Sequence, residues 1–435
     1  MGIHHDCLAV TNPSSRHRPN RERLLPLVDV SVRAISIGAR AAFMIVLARW
    51  LPVEDYASLV LTMALTGYLI YVAGLDFYAS AHRELLAQRE SLGQVVKAQA
   101  VMLGAGFALS VLLLCVLPIA GGTLMHVAVV AGLLLGEAVC AELSRLLVVI
   151  GRPSVANFVN FLKAAGWMLP VLATGPWQAG VSMLPMIYAA WALGLLLAVA
   201  LGIWALGLRL QDVLGSSRTR DLIRLHVRLM PILFGGTLAM RAVFSLDRVF
   251  MEWAAGAQSL APYALFAGMG AAFMALVETG AVARLYRPLV MAVAQRDLGQ
   301  VRQLERSMLS RTLVLIALML VTLWLGLDLL LVFIDRPEFS SQSYFAWILG
   351  GAYACYALSL PFHVVLYALA RDRLLTGIQV TAAALLCLFG ALAAMFEQGA
   401  WVSCGVLVSF LYSTVHKALA ARTALADLRR GADGS

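Results

Sequence analysis

Residues 87–95 read AQRESLGQV and residues 294–301 read AQRDLGQV, one polar phrase written twice with a single serine as the only insertion. Around both copies the chain is apolar: 61% of its 435 residues are hydrophobic, 13% are charged, and mean hydropathy is +0.84. That composition excludes a soluble multidomain protein and reads as an integral membrane protein. Uncharged or nearly uncharged runs of about 20 residues recur, the length an α-helix needs to cross ~30 Å of hydrocarbon. Alternating strands of about ten residues are absent, which argues against a membrane barrel. A polar phrase repeated in such a chain is a landmark at the water side of a helical bundle, and its placement decides how the bundle is built.

Apolar runs between charged gaps predict helices at 26–50, 56–79, 98–120, 126–150, 154–175 and 182–206, then at 229–251, 261–283, 309–333, 343–367, 373–395 and 399–418. The expected fold is all-α and polytopic, with about 12 transmembrane helices. The N-terminal tail and the gaps at 80–97, 151–153, 207–228, 284–308, 371–373 and 417–435 hold 24 Lys or Arg, whereas the opposite gaps hold one, Arg336. By the positive-inside rule both termini are cytoplasmic. Trp50, Trp177, Trp253 and Trp401 then fall at the outer interface, which favours amphipathic indoles. The net charge of +9 is thus a topology signal, reinforced by attraction to anionic inner-leaflet lipid; it requires no nucleic acid. The outer gaps are short, leaving no extracytoplasmic domain for an active site, so catalytic residues are not expected.

Residues 1–25 lack the apolar core and cleavage site of a signal peptide and read as a disordered basic tail. His4 and His5 stand without further ligands at useful spacing. Of the six cysteines, Cys7 is in the tail and the others fall in apolar segments. Neither a metal site nor a disulfide framework nor a cofactor is expected.

Six predicted spans separate the two phrases, an even number, so both copies lie on the cytoplasmic side and the repeat is parallel. Arg40-Ala-Ala-Phe in helix 1 and Arg241-Ala-Val-Phe in helix 7 stand 201 residues apart, and the phrases 206 or 207 apart. Two pseudo-symmetric six-helix lobes follow, 26–206 and 229–418, joined by a cytoplasmic linker at 207–228 and trailed by a tail at 419–435. Such lobes imply a pseudo-twofold axis along the membrane normal, with a substrate path between them. The phrases themselves read as surface-lying linker helices.

Ionisable residues within spans are expensive and face a bundle interior or a wet cavity, so they are the best functional signal in the chain. Helix 1 carries Asp29, Arg33 and Arg40 on one face. Arg40 lies about 14 residues into its span, roughly 21 Å along the axis, too deep for easy snorkelling. Helix 7 carries Arg241 near mid-depth and Asp247 with Arg248 toward its outer end. Helix 4 carries Glu137, Glu142 and Arg145; helix 5 carries Asn157, Asn160 and Lys163; helix 8 carries Glu278. Two readings of Arg40 and Arg241 stay open. They grip a phosphate from the two lobes, since guanidinium forks match phosphate oxygens, or each is neutralised by a carboxylate, with Glu137 and Glu278 as partners. Lys163 and Arg33 join the arginines as candidate substrate-binding residues. Glu137 and Glu278 are also candidates for a coupling H+ or Na+, and Asp247, Arg248, Glu142 and Arg145 for structural pairs. Span charges sum to no positive excess, so a cationic cavity depends on how the helices face. Pro170, Pro185, Pro231 and Pro361 predict kinks or breaks in helices 5, 6, 7 and 10.

The stretch LARWLPVEDYASLVL at 47–61 resembles the Wzx-type polysaccharide flippases of the multidrug/oligosaccharidyl-lipid/polysaccharide (MOP) exporter superfamily, which show Ala-Arg before a Gly-Pro-Glu-Glu-Tyr-Gly-like turn between helices 1 and 2. AGLDFYASAHREL at 73–85, ELSRLLVVIGRPS at 142–154 and FSLDRVFMEWAAGAQSLAPY at 244–263 are similar to further stretches of that family. Ala57 departs from the usual Gly, Leu51-Pro52-Val53 from Gly-Pro, and Glu252-Trp253 from Leu-Gly. The resemblance implies two lobes around a cavity walled by helices 1 and 7. It further implies a cargo of undecaprenyl-diphosphate-linked oligosaccharide, moved to the periplasmic leaflet of a bacterial inner membrane for exopolysaccharide, capsule or O-antigen synthesis. Membrane lipids, a polysaccharide polymerase and export machinery are the implied partners. The rival readings are a cation-coupled multidrug exporter of the same superfamily, which Arg40 and Arg241 argue against, a membrane-bound glycan polymerase or ligase, and a scaffolding partner of a polysaccharide synthase.

Overall fold

The computed structural model describes residues 21–86, 91–116, 124–175, 183–207 and 219–433, and the elements among them are all helical. His4, His5, Cys7, Trp177 and the side chains of Asp29 and Arg33 lie outside the described residues. The first half runs α1 (Arg21–Trp50), α2 (Val53–Gly74), the short α3 (Tyr78–Leu86), α4 (Leu92–Val116) and α5 (Leu124–Val149). It ends with α6 (Pro153–Phe161), a π turn at Leu162–Gly166, α7 (Met168–Thr174) and α8 (Leu184–Leu206). The second half opens with α9 (Thr219–Val277), a π turn at Glu278–Val282 and α10 (Ala283–Ala294). Then come α11 (Leu298–Ile334), α12 (Pro337–Ser341), α13 (Tyr344–Ala368), α14 (Asp372–Phe396) and α15 (Ala400–Asp433).

Among the described residues ten helical segments are long and apolar enough to cross a membrane. One of them, Phe234–Ala294, runs for 61 residues, room for the two passes that the sequence placed at helices 7 and 8. The expected outer gap at 252–260 is helical instead. Its residues, EWAAGAQSL, include alanines and no proline, and the chain turns back at Gly256 alone, with φ 67° and ψ −173°, a conformation that glycine adopts without steric cost.

The later letters of the repeated phrase, from Ser91 and from Asp297, form a helix start in each half. In the first copy Gln94 N donates to Ser91 Oγ at 3.3 Å, and Ser91 N donates to Gln94 Oε1 at 2.8 Å, a reciprocal capping box that satisfies two orphan donors. In the second, Asp297 Oδ1 accepts from Gln300 N at 2.9 Å. Ser91 and Asp297 thus start α4 and α11, while Ala294 ends α10 and residues 87–90 lie outside the described residues.

Prolines act less uniformly than expected. Pro185 stands in the first turn of α8, where its missing N–H costs nothing, and Pro361 sits inside an unbroken α13. Pro170 follows the π turn: it cannot donate to the carbonyl of Gly166, four residues back, and the helix widens over Leu162–Gly166 just before that point. The indole of Trp167 donates to the freed carbonyl of Lys163 at 3.0 Å.

Close packing between α2 and α4 depends on Gly106, where a Cβ would lie 2.3 Å from the carbonyl oxygen of Ala73; at Gly104, on the same helix, a Cβ meets nothing within 4 Å. Without a hydrophobic drive inside lipid, such small-residue contacts carry helix association. Gly106→Ala is expected to destabilise the protein by ~1–3 kcal/mol, and Gly104→Ala to be neutral or mildly stabilising. Thermal unfolding of both variants in detergent checks the opposite signs.

Candidate functional site

A cavity of about 410 Å³ lies where α1 and α2 of the first half meet both arms of α9. Arg40 projects into it from α1, and Arg241 and Arg248 from the first arm of α9. Small residues give it room: Ala41, Ala64, Gly67 and Gly268 are among its walls. Its volume falls in the ~300–1,000 Å³ range of ligand sites. A side chamber of about 240 Å³ shares Arg40, Met63 and Gly67 with it and reaches Glu137, Lys163 and Trp191.

The three arginines are held differently. Arg248 is 9% exposed and its guanidinium lies 2.9 Å from Asp247 Oδ1. Asp247, 1% exposed, also accepts from the Tyr263 hydroxyl at 2.7 Å, and Arg248 donates to the carbonyl of Phe244 at 2.5 Å. This charge is compensated within the wall. Arg40 and Arg241 are exposed in the cavity, and among the described residues no carboxylate lies within the 4.0 Å ion-pair distance of either. The Arg241 guanidinium instead covers the Tyr71 ring of α2, with Cζ 4.4 Å from its centroid, an attraction between a cation and the electron-rich ring face.

Glu137 is occupied elsewhere. Its Oε2 lies 2.8 Å from Lys163 Nζ, and its Oε1 accepts from the Trp191 indole at 2.9 Å. Lys163 is carried by the first π turn and Glu278 begins the second; such widened turns recur at functional sites. Glu278 is exposed and, with Arg241, within electrostatic reach of Tyr356. Glu142 and Arg145 stand outside the cavity, paired with each other, with Gln99 donating to Glu142 and Arg145 covering the Tyr78 ring at 4.1 Å.

At the end of the bundle opposite the two AQR phrases, the halves are tied together. Arg49, ending α1, donates to the Phe333 carbonyl at 2.6 Å, and Arg336 returns a bond to the Arg49 carbonyl at 3.1 Å. Gln258 donates to Glu54 at 3.0 Å, Gln342 to the Gln258 carbonyl at 3.2 Å, and the Tyr56 and Phe339 rings meet edge-on at 6.1 Å.

No protein-family profile and no curated protein sequence matches the chain. Solved structures do. An inward-facing multidrug resistance MATE family transporter of the MOP superfamily aligns over 93% of this chain and 99% of its own, with a TM-score of 0.68 at 12% identity. The chain shares the fold of that solved transporter. A MATE in complex with MaL6 (TM-score 0.59, 92% and 96% coverage) and a MOP superfamily transporter from Pyrococcus furiosus (0.54, 92% and 94%) are also similar, each at 12% identity.

Sequence reasoning missed the aromatic partners Tyr71 and Trp191, which inside apolar runs look like ordinary core residues; Tyr263 ends the 244–263 stretch that carries the family resemblance, but its bond to Asp247 is not read from it. Lys163→Met is expected to destabilise the protein by ~3 kcal/mol or more by stranding Glu137, and adding Glu137→Gln to recover part of that loss. A double-mutant cycle on thermal unfolding measures the coupling.

Proposed function

We propose that the chain is a MOP-superfamily transporter that flips polyprenyl-diphosphate-linked oligosaccharide units from the cytoplasmic to the periplasmic leaflet of a bacterial inner membrane by alternating access. One observation carries this reading: Arg40 and Arg241 enter a single cavity, one from each half, without an ion-pairing carboxylate. Asp247 pairs with Arg248 and Glu137 with Lys163, so neither Arg40 nor Arg241 has an ion-pair partner among the described residues, and Asp76 acts on Arg241 only from beyond that distance. A diphosphate matches them in charge and in bidentate geometry. Lys163, already paired, contributes through the side chamber, where release from Glu137 would free a third cation.

The rival, a cation-coupled multidrug exporter, fits this cavity less well, because a cationic drug would meet uncompensated positive charge in a poorly screened site. For the Pyrococcus furiosus transporter, reverse polarity of the binding pocket suggests a different function; the arginine excess supports the same kind of distinction for this chain. If transport is coupled to H+ or Na+, Glu278 is the better site, since both oxygens of Glu137 are engaged. No covalent bond changes in this scheme, and a polymerase with its export machinery would receive the unit.

Reconstituted protein is expected to move labelled polyprenyl-diphosphate sugar between leaflets and to leave a fluorescent cationic drug behind. Arg40→Ala combined with Arg241→Ala should slow that exchange by about 100-fold or more, from two lost charge-assisted interactions of ~1.5–3 kcal/mol each. Unimpaired exchange by the double variant, or drug movement by the wild type, refutes the proposal.

A further inference from the structure

The second half buries a lysine that does not line the arginine cavity. Lys417 of α15 is 1% exposed, within a segment, Ala400–Asp427, that is long and apolar enough to cross a membrane. Among the described residues it has no carboxylate within the 4.0 Å ion-pair distance and no hydrogen-bond partner. Two other cations of the bundle, Arg248 and Lys163, are paired with Asp247 and Glu137. Lys417 instead meets the Tyr356 ring of α13, with Nζ 5.5 Å from its centroid, and lies within electrostatic reach of His363 on the same helix.

Hydroxyls are left over beside it. Ser409 and Ser413 precede Lys417 by eight and four residues, on its own face of α15. On α13, Ser359 comes three residues after Tyr356 and four before His363, so it sits between the two groups that Lys417 faces. All three serines are buried, and among the described residues their hydroxyls and His363 Nδ1 have no hydrogen-bond partner. A helical serine has a carbonyl at hand about one turn back, and Ser110, Ser144 and Ser403 bond to theirs. Ser359, Ser409 and Ser413 do not. The seam between the two helices is otherwise closely made: Thr414 donates to the Cys355 carbonyl across it at 2.6 Å, and the Tyr356 and Phe410 rings lie 4.9 Å apart.

We propose that this seam binds a small monovalent anion, chloride or an ion like it, held by the Lys417 ammonium with the Ser359 and Ser413 hydroxyls and the His363 imidazole as further donors. A buried charge requires a countercharge, and at membrane depth an unpaired ammonium is costly. No described side chain supplies that countercharge, so it comes from solution. Ammonium and hydroxyl groups offer hydrogens, the donor set that an anion takes. One cation matches one negative charge, and helices packed ring against ring suit a monatomic ion better than a phosphate. The site is separate from the arginine cavity. Tyr356 stands between them, its ring also meeting that of Phe244, a wall of the cavity, at 4.8 Å. The proposal does not depend on what the cavity carries.

The test is thermal unfolding, with equilibrium binding of radioactive chloride, by the purified full chain in detergent. Replacing gluconate by chloride at constant ionic strength is expected to raise the unfolding temperature by about 3 °C or more, both in the wild type and in Arg40→Ala with Arg241→Ala. Lys417→Met removes the charge that needs a partner. In gluconate it should unfold no lower than the wild type, and it should no longer respond to chloride. Ser413→Ala deletes an unpartnered hydroxyl, so it should fold as the wild type does and bind chloride about tenfold more weakly. A wild type that binds no chloride and is equally stable in both salts overturns the site, as expected of a lysine that has merely lost its proton. A chloride response that disappears with the two arginines, or one that survives Lys417→Met, also overturns it. If Lys417→Met does not fold, wild-type chloride affinity in both Ser413→Ala and Ser359→Ala overturns it instead.

Discussion

A guanidinium at hydrocarbon depth costs several kcal/mol unless water, a ring face or a countercharge meets it, and the centre of this molecule is organised around that cost. Arg248 is met by Asp247, which the Tyr263 hydroxyl fixes from the other side. Lys163 is met by Glu137, fixed in turn by the Trp191 indole. Arg241 is met by the Tyr71 ring. Asp247 and Glu137 are thus each committed to one cation and oriented by an aromatic donor, which holds these two carboxylates away from ion pairing with Arg40 or Arg241. The cavity keeps room beside its arginines because Ala41, Ala64, Gly67 and Gly268 are among its walls.

Much of the architecture was legible from the sequence because membrane spans obey rules that need no tertiary context. A run such as 309–333 must cross, and a gap such as 284–308 with five arginines must stay in water. The pairing of Arg40 with Arg241 came from spacing within the duplicated halves. Helix facing did not, because periodicity cannot say which neighbour a side chain meets. Glu137 was accordingly offered to Arg40, whereas the structure gives it to Lys163. That outcome turns on the π turn before Pro170, which rotates Lys163 relative to a regular helix, a local widening that hydropathy does not register. The turn between helices 7 and 8 falls inside the expected gap at 252–260, but it takes one residue, Gly256, because the residues on either side of it are helical.

The two π turns are not symmetry mates. One lies in the fifth span of the first half and carries Lys163; the other follows the second arm of α9 and begins at Glu278. The ionisable groups around the cavity are therefore not arranged alike in the two halves. Capping residues show the reverse. Ser91 with Gln94 and Asp297 with Gln300 do the same work in both halves, although one copy uses a hydroxyl and the other a carboxylate.

The tie across the far end of the bundle bears on how energy could enter the proposed transport cycle. Both of its guanidinium bonds, from Arg49 and from Arg336, end on backbone carbonyls. A peptide carbonyl does not titrate and binds Na+ weakly beside a fixed cation. Breaking these two bonds costs the same work whichever side of the membrane is acidic or rich in sodium. A gradient cannot break these two bonds directly; within the tie it can act on the Glu54 carboxylate, which accepts from Gln258, and anything else that drives the halves apart must act at a distance and be transmitted through α1 and α11.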